Sequence, residues 1–183
     1  MTYFWADTHF NHAGILHHCS RPWATVAEMN RALVERWNAA VSRESDEVWF
    51  LGDFGFSPGT GHPVGEPLDS IFFRLRGRKF LVVGNHDDRN PRVLRLPWER
   101  QERLVTFRLD GRRAELCHYP LETWKNAQSG ALMLHGHSHG TLRRPLPHRF
   151  DVGADVFADG PVAWDRLLEL ASRVPFAPQD HHG

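Results

Sequence analysis

The sequence predicts an α/β protein built from layered sheets, and three features lead there. Apolar runs of strand length alternate with helical patterns through the first half of the chain. The second half turns to strands, two of them around an Asp110-Gly111 hairpin signal. Five short polar clusters, Asp7-Thr8-His9, Gly52-Asp53, Gly84-Asn85-His86-Asp87, Cys117-His118 and Gly136-His137-Ser138-His139, each follow one of the apolar runs. Chemistry is expected where the strands stop.

Residues 2–6 read as the first strand. Thr25 and Glu28 form a capping box that opens a helix through about residue 42. Val26, Met29, Leu33, Trp37 and Val41 recur at helical spacing and make its core face. Residues 47–51 are apolar on both faces, as a buried parallel strand is, and Asp53 follows them closely. Residues 55–67, rich in Gly and Pro, predict an irregular loop bordering a substrate rather than a linker. Residues 68–75 read as a helix and 79–83 as a strand. Segments 103–109 and 112–117 flank the hairpin turn, 131–134, 149–152 and 161–163 supply further strands, and 165–174 a closing helix. Two βαβ-like halves facing each other suit this order.

A chain of 183 residues, 41% hydrophobic, is long enough for one buried core and short for two. One domain is expected over residues 1–175, with a polar tail at 176–183. Acidic and basic side chains cancel at 22 each, which argues against the broad positive field that long nucleic acids require. Two cysteines are too few for a disulfide framework, so a reducing, cytoplasmic setting fits. No run has membrane-spanning length and the N-terminus lacks a signal segment, which predicts a soluble chain. Among the tryptophans, Trp5, Trp49 and Trp164 are expected in the core, and Trp23, Trp98 and Trp124 at a pocket rim or interface.

Histidine is the compositional outlier, with 13 residues. His181 and His182 fall in the tail, His17, His18 and His62 have no informative spacing, and His135 reads as a core histidine. Others are placed differently. Strand side chains two residues apart leave on the same side, so Asp7 and His9 can converge, and His137 and His139 repeat that spacing. The candidate ligands are Asp7, His9, Asp53, Asn85, His118, His137 and His139, a donor set without a thiolate that suits Mn, Fe, Co, Ni or Zn. Seven ligands exceed the needs of one ion, whereas two ions sharing a bridging Asp53 use them all.

In this order the motifs Asp-x-His, Gly-Asp, Gly-Asn-His-Asp, His and Gly-His-x-His resemble those of the calcineurin-like metallophosphoesterases, over residues 4 to about 157. The N-terminal motif and the short length are similar to small bacterial and phage phosphoesterases. The resemblance implies a four-layer α/β/β/α sandwich of two mixed β-sheets flanked by helices. It implies two divalent transition-metal ions, manganese first, one held by Asp7, His9, Asp53 and His139 and the other by Asp53, Asn85, His118 and His137. Ions about 3.5–4 Å apart would then activate a bridging hydroxide for in-line attack on a phosphate ester. Asn85 and His86 would be catalytic, His86 as general acid to the leaving oxygen, with His12 and Arg89 as contacts to substrate or supports of the ligands.

One departure matters. Relatives with Gly-Asp-x-x-Asp-Arg use the second Asp to orient the catalytic histidine, but here the motif is Gly52-Asp53-Phe54-Gly55-Phe56. Phe56 cannot accept a hydrogen bond, and the missing Arg removes a phosphate contact. The expected activity is therefore hydrolysis of phosphodiesters more than monoesters, on a small-molecule or nucleotide substrate. The competing expectations are a scaffold protein that kept the fold without chemistry, and a nuclease for short single strands. Oligomeric state has no sequence signal. Gly84 and Gly136 are expected to make the tight turns that free the ligands.

Overall fold

The computed structural model describes residues 1–57 and 65–175; the expectations for His62, for most of the 55–67 loop and for the tail after 175 fall outside these residues. Strands β1 (Thr2–Trp5), β2 (Glu47–Phe50), β3 (Arg78–Val82), β4 (Arg100–Glu102) and β9 (Val162–Ala163) form one sheet in the order β4-β3-β2-β1-β9. The first four are parallel and β9 runs antiparallel to β1. Strands β5 (Leu104–Leu109), β6 (Arg112–Cys117), β7 (Leu132–His135) and β8 (Arg149–Asp151) form the second sheet, with an antiparallel β5–β6 hairpin and parallel β6, β7 and β8. Both sheets are mixed, as expected.

Alternation along the strands sorts the core into layers. Tyr3, Trp5, Val48, Phe50 and Leu81 face the helices α2 (Val26–Ala40) and α3 (Leu68–Arg74). Phe4, Trp49, Leu51 and Val82 face the second sheet and meet Leu116, Leu132 and Leu134 across it. Phe4 and Phe107 pack edge to face at 5.3 Å in that seam. Helix α5 (Trp164–Ser172) seals it by burying Trp164, Leu167 and Ala171 in the same cluster. Met133 points the other way, under Trp124 and Ala127, where a 3-10 turn at Ala127–Ser129 forms the fourth layer.

Local signals explain most of the elements. Thr25 Oγ1 accepts the Glu28 N–H at 3.2 Å, while Glu28 Oε2 accepts from the Ala24 N–H, one residue before the position a capping box specifies. Asp110 and Gly111 both have positive φ, 48° and 76°, the conformation a two-residue hairpin turn of the inverted type needs.

Three expectations are corrected. The strand expected over 103–109 is found at 104–109, but it is preceded by a strand with no assignment: residues 100–102 complete the first sheet, the chain crosses at Arg103, and 104–109 begin the second. Two short helices, α1 (Ala13–His18) and α4 (Pro91–Leu94), had no assignment; α1 lacks a side-chain cap and buries only Ile15, but α4 carries an Asn90 cap and Pro91 in its first turn. Trp98 and Trp124 are buried, not at a rim, because each indole N–H finds a carbonyl inside, Val93 at 2.9 Å and Ala131 at 2.8 Å. His135 is a buried histidine bonded to the Gly136 carbonyl, as expected. No helix among the described residues is long and apolar enough to cross a membrane.

Candidate metal centre

All five clusters lie just past the carboxyl ends of β1, β2, β3, β6 and β7, where open α/β sheets present their ligand sites. The chain does not simply run on from these strands. Asp7, His9, Asp53, His137 and His139 all have positive φ, between 47° and 66°, a region that L-residues with bulky side chains seldom occupy. Asp7 and His9 therefore converge because the backbone turns left-handed at both, not through strand alternation. His137 and His139 do not converge: His137 Nδ1 lies 3.0 Å from Asn85 Oδ1, while His139 groups with Asp7 and His9.

The surroundings hold these turns in place. The Asp7 N–H donates to the Gly52 carbonyl at 2.9 Å and the His9 N–H to the Asp53 carbonyl at 3.1 Å, and Thr8 Oγ1 donates to the Phe54 carbonyl at 2.8 Å. The Asn11 backbone N–H donates to Asn30 Oδ1 of α2, Asn30 Nδ2 donates to Asn11 Oδ1, and Asn11 Nδ2 donates to the carbonyls of Phe56 and Glu66. Asp87 takes three backbone N–H groups on its buried carboxylate: Asp53 at 2.8 Å and Gly84 at 3.0 Å on Oδ2, and Phe54 at 2.9 Å on Oδ1. That one side chain ties the Asp53 loop to the Asn85 loop. Gly84 and Gly136, expected to make tight turns, are required for close approach: neither has a positive φ. A Cβ on Gly84 would lie 2.3 Å from Asp53 Oδ1, and one on Gly136 2.7 Å from Asp7 Oδ2.

Asp53 is central. Its Oδ2 lies 3.4 Å from His118 Nε2, 3.7 Å from His9 Nε2 and 3.8 Å from His86 Nε2. Its Oδ1 accepts the His86 N–H at 2.9 Å. On one side, Asp7, His9 and His139 can bring one donor atom each within 4.8 Å of one another. On the other, Asn85 Oδ1 lies 3.0 Å from both His118 Nε2 and His137 Nδ1. His118 is oriented by its Nδ1, which donates to the Leu51 carbonyl at 2.8 Å, and His139 by its Nδ1, 2.7 Å from Asp155 Oδ2.

The electrostatics are those of charges withdrawn from water. Burial pushes the Asp7 carboxyl up to about 8, against the pull of His118 and His139. Burial drives His9 well below the ordinary histidine value. Burial would also raise Asp53, but the hydrogen bond and charge of His118 outweigh it and bring the group to about 2; the same pair lifts His118 to about 9 against its own burial. Cys19, beside His139 and Asp155, is raised to about 11, chiefly by burial, and stays a thiol.

These residues suit cations. Asp7 Oδ1 and both ring nitrogens of His9 are buried without a hydrogen-bond partner, an arrangement that costs free energy unless a cation takes up the lone pairs. The donors are carboxylate, amide and imidazole, the set for borderline divalent metals. The 3.4 and 3.7 Å from Asp53 Oδ2 to His118 Nε2 and His9 Nε2 leave room for metal–ligand bonds of roughly 2.0–2.2 Å between the atoms.

Of the other expected residues, His12 reaches the rim, its ring 4.4 Å from Phe56 and 5.6 Å from His9. Arg89 is exposed on the surface, and among the described residues no contact brings it to the cluster. Asp87, Asp155 and Arg21 carried no expected role, yet each fastens part of the centre. Asp87 closes the Gly84-Asn85-His86-Asp87 cluster; Asp155 and Arg21 have no spacing to reveal them.

The fold and site together define a four-layer sandwich that gathers a carboxylate–imidazole centre at its strand ends. No family model matches the chain. The uncharacterized protein MJ1445 of Methanocaldococcus jannaschii is 30% identical over 177 residues, covering 93% of this chain and 91% of its own. The Gene 66 protein of Mycobacterium phage D29 is 30% identical over 201 residues, covering 94% and 96%. The chain belongs to the family of these proteins. The crystal structure of AQ665, a protein of unknown function from Aquifex aeolicus, shares the fold with a TM-score of 0.71 at 21% identity, over 93% of this chain and 98% of that one.

Proposed function

We propose that the protein is a phosphoesterase dependent on two divalent transition-metal ions, with phosphodiesters as its preferred substrates. The observation that carries this reading is the environment of Asp53 Oδ2, met by three imidazole nitrogens at 3.4–3.8 Å beside the unpartnered Asp7 Oδ1 and His9 nitrogens. The motif order, which resembles that of the calcineurin-like metallophosphoesterases, supports it. Asp7, His9, Asp53 and His139 would hold one ion, and Asp53, Asn85, His118 and His137 the other, with Asp53 shared. When bound, the two cations supply positive charge that polarises the phosphoryl oxygens and lowers the pKa of water.

The protein's own groups do the rest. Asp53, His9 and His118 are at most 2% exposed, which excludes bulk water from one side of the reacting phosphate and strengthens every charge interaction there. His86, on the open side with 41% of its side chain exposed, gives its proton to the leaving oxygen. Phe56 packs on the His86 ring at 5.2 Å, so aromatic contact holds a ring that relatives orient with a carboxylate. Arg21, the arginine buried beside the cluster, is spent on Asp155 and on the carbonyls of Asp7 and Thr8. A terminal phosphate dianion thus finds no free guanidinium from it, which favours the singly charged diester.

Chelator-stripped protein, reloaded with Mn²⁺, Co²⁺, Ni²⁺ or Zn²⁺ in turn, should regain hydrolysis of an aryl phosphodiester and bind two ions. Hydrolysis unaffected by chelation would refute the reading.

A further inference from the structure

The geometry points to Asp155 and Arg21 as positioning residues that act through His139, presenting its Nε2 to the first cation position. The inference rests on the metal-dependent reading above and adds residues to it. Asp155 follows β8, 16 positions after His139 and 134 after Arg21, and its carboxylate lies between them: Oδ2 is 2.7 Å from His139 Nδ1, while Arg21 donates through Nε to Oδ1 and through Nη2 to Oδ2, both at 2.8 Å. Arg21 is 7% exposed, and its guanidinium also donates through Nη1 to the Thr8 carbonyl at 2.8 Å and through Nη2 to the Asp7 carbonyl at 2.6 Å.

The consequence is specific. In the neutral imidazole, Nδ1–H donating to Asp155 leaves Nε2 of His139 bare, the nitrogen available to face Asp7 and His9. The planar fork of Arg21 fixes the carboxylate and at the same time pins the backbone of Asp7 and Thr8, so one guanidinium sets the relation between ligands from the first and last motifs. A lysine has no fork to do both. The other candidate position is supported independently of Asp155 and Arg21: His118 is oriented by the Leu51 carbonyl, and His137 meets Tyr119 at 4.8 Å through ring contact. Loss of Asp155 should therefore weaken one ion and spare the other.

The test is a metal-binding cycle on the full chain. Stripped wild type, Asp155→Ala, His139→Ala and the double variant are titrated with Mn²⁺ and their bound metal counted. Asp155→Ala should weaken one ion by about 10- to 100-fold and leave the second unchanged, and the double variant should bind no worse than His139→Ala alone. Equal weakening of both ions, or a further loss in the double variant as large as in the single one, would overturn the inference. Where a variant does not fold, the isosteric Asp155→Asn replaces it in a second measurement, ¹⁵N NMR of the imidazoles in metal-free protein at alkaline pH. His139 should carry its proton on Nδ1 in wild type and lose that preference in Asp155→Asn; the same tautomer in both would count against Asp155. If wild type takes up no ion, the metal-dependent reading fails, while the tautomer measurement still judges the positioning role.

Discussion

Asp53 Oδ2 lies 3.4 Å from His118 Nε2, and both side chains are almost wholly buried. Neither group could carry charge alone at that depth, so each sets the other's state: the carboxylate is held at about 2 and the imidazole at about 9. Asp53→Asn should drop His118 below the ordinary histidine value in metal-free protein, because burial then acts on it with little opposition. Imidazole NMR titration checks this. The same variant should also lose bound metal and turnover, since Asp53 would serve both ions.

Metal-free protein should grow less stable from pH 6.5 to 9. The folded pKa of Asp7, about 8, is raised above its unfolded value of 3.8. The folded state therefore holds a proton that the unfolded state has released, and this contribution is complete below 3.8 and gone above about 8. His118, raised from 6.5 to about 9, acts in the same direction and is lost as pH rises through 9. Each such proton costs about 1.4 kcal/mol of stability per pH unit. His9 is lowered, so its pH dependence ends near 6.5 and does not offset the fall. Thermal melts of stripped protein at pH 6.5 and 9 measure the slope, and added Mn²⁺ should abolish or reverse it, because the cation then replaces the Asp7 proton.

Gly84→Ala should be disproportionately harmful for a change of one methyl group. The new Cβ would lie 2.3 Å from Asp53 Oδ1 and 2.6 Å from the Asp53 backbone nitrogen, neither of which can retreat while Asp87 holds that loop. A cost of about 1–3 kcal/mol or more in denaturant unfolding is expected, with reduced metal uptake. Unchanged stability would show that the loops give way more readily than these contacts imply.

His86→Ala should keep both ions yet slow hydrolysis by about 10²- to 10⁴-fold, most for diesters with poor leaving groups. Substrates whose leaving oxygen needs no proton should suffer least. His86 Nε2 also approaches Asp53 Oδ2, at 3.8 Å. Loss of an ion in this variant would make His86 a ligand rather than an acid, and the leaving-group dependence would vanish with it.

What could be read in the sequence is what depends on local chemistry. The Thr25 cap, the Asp110-Gly111 turn and the clusters after each strand all depend on residues within a few positions of one another. The crossing of the chain at Arg103 escaped, because residues 100–102 look no more like a strand than a loop until β3 lies beside them. Asp155 and Arg21 escaped because 134 positions separate them, and an acid and a base so far apart have no pattern in common. The left-handed backbone at Asp7, His9 and Asp53 is likewise set by carbonyls and amides from other loops, so alternation gave the right meeting of Asp7 with His9 by the wrong route.

The central claim is that Asp53 is shared between two cations that enable phosphodiester hydrolysis. Its most direct test counts the metal bound to stripped and reloaded wild type and Asp53→Ala while following hydrolysis of an aryl phosphodiester. Wild type should bind two Mn²⁺ per chain and turn over substrate only when loaded, and Asp53→Ala should lose affinity for both ions together with activity. Two ions retained in Asp53→Ala with hydrolysis intact, or wild type that hydrolyses the diester without metal, would contradict the account.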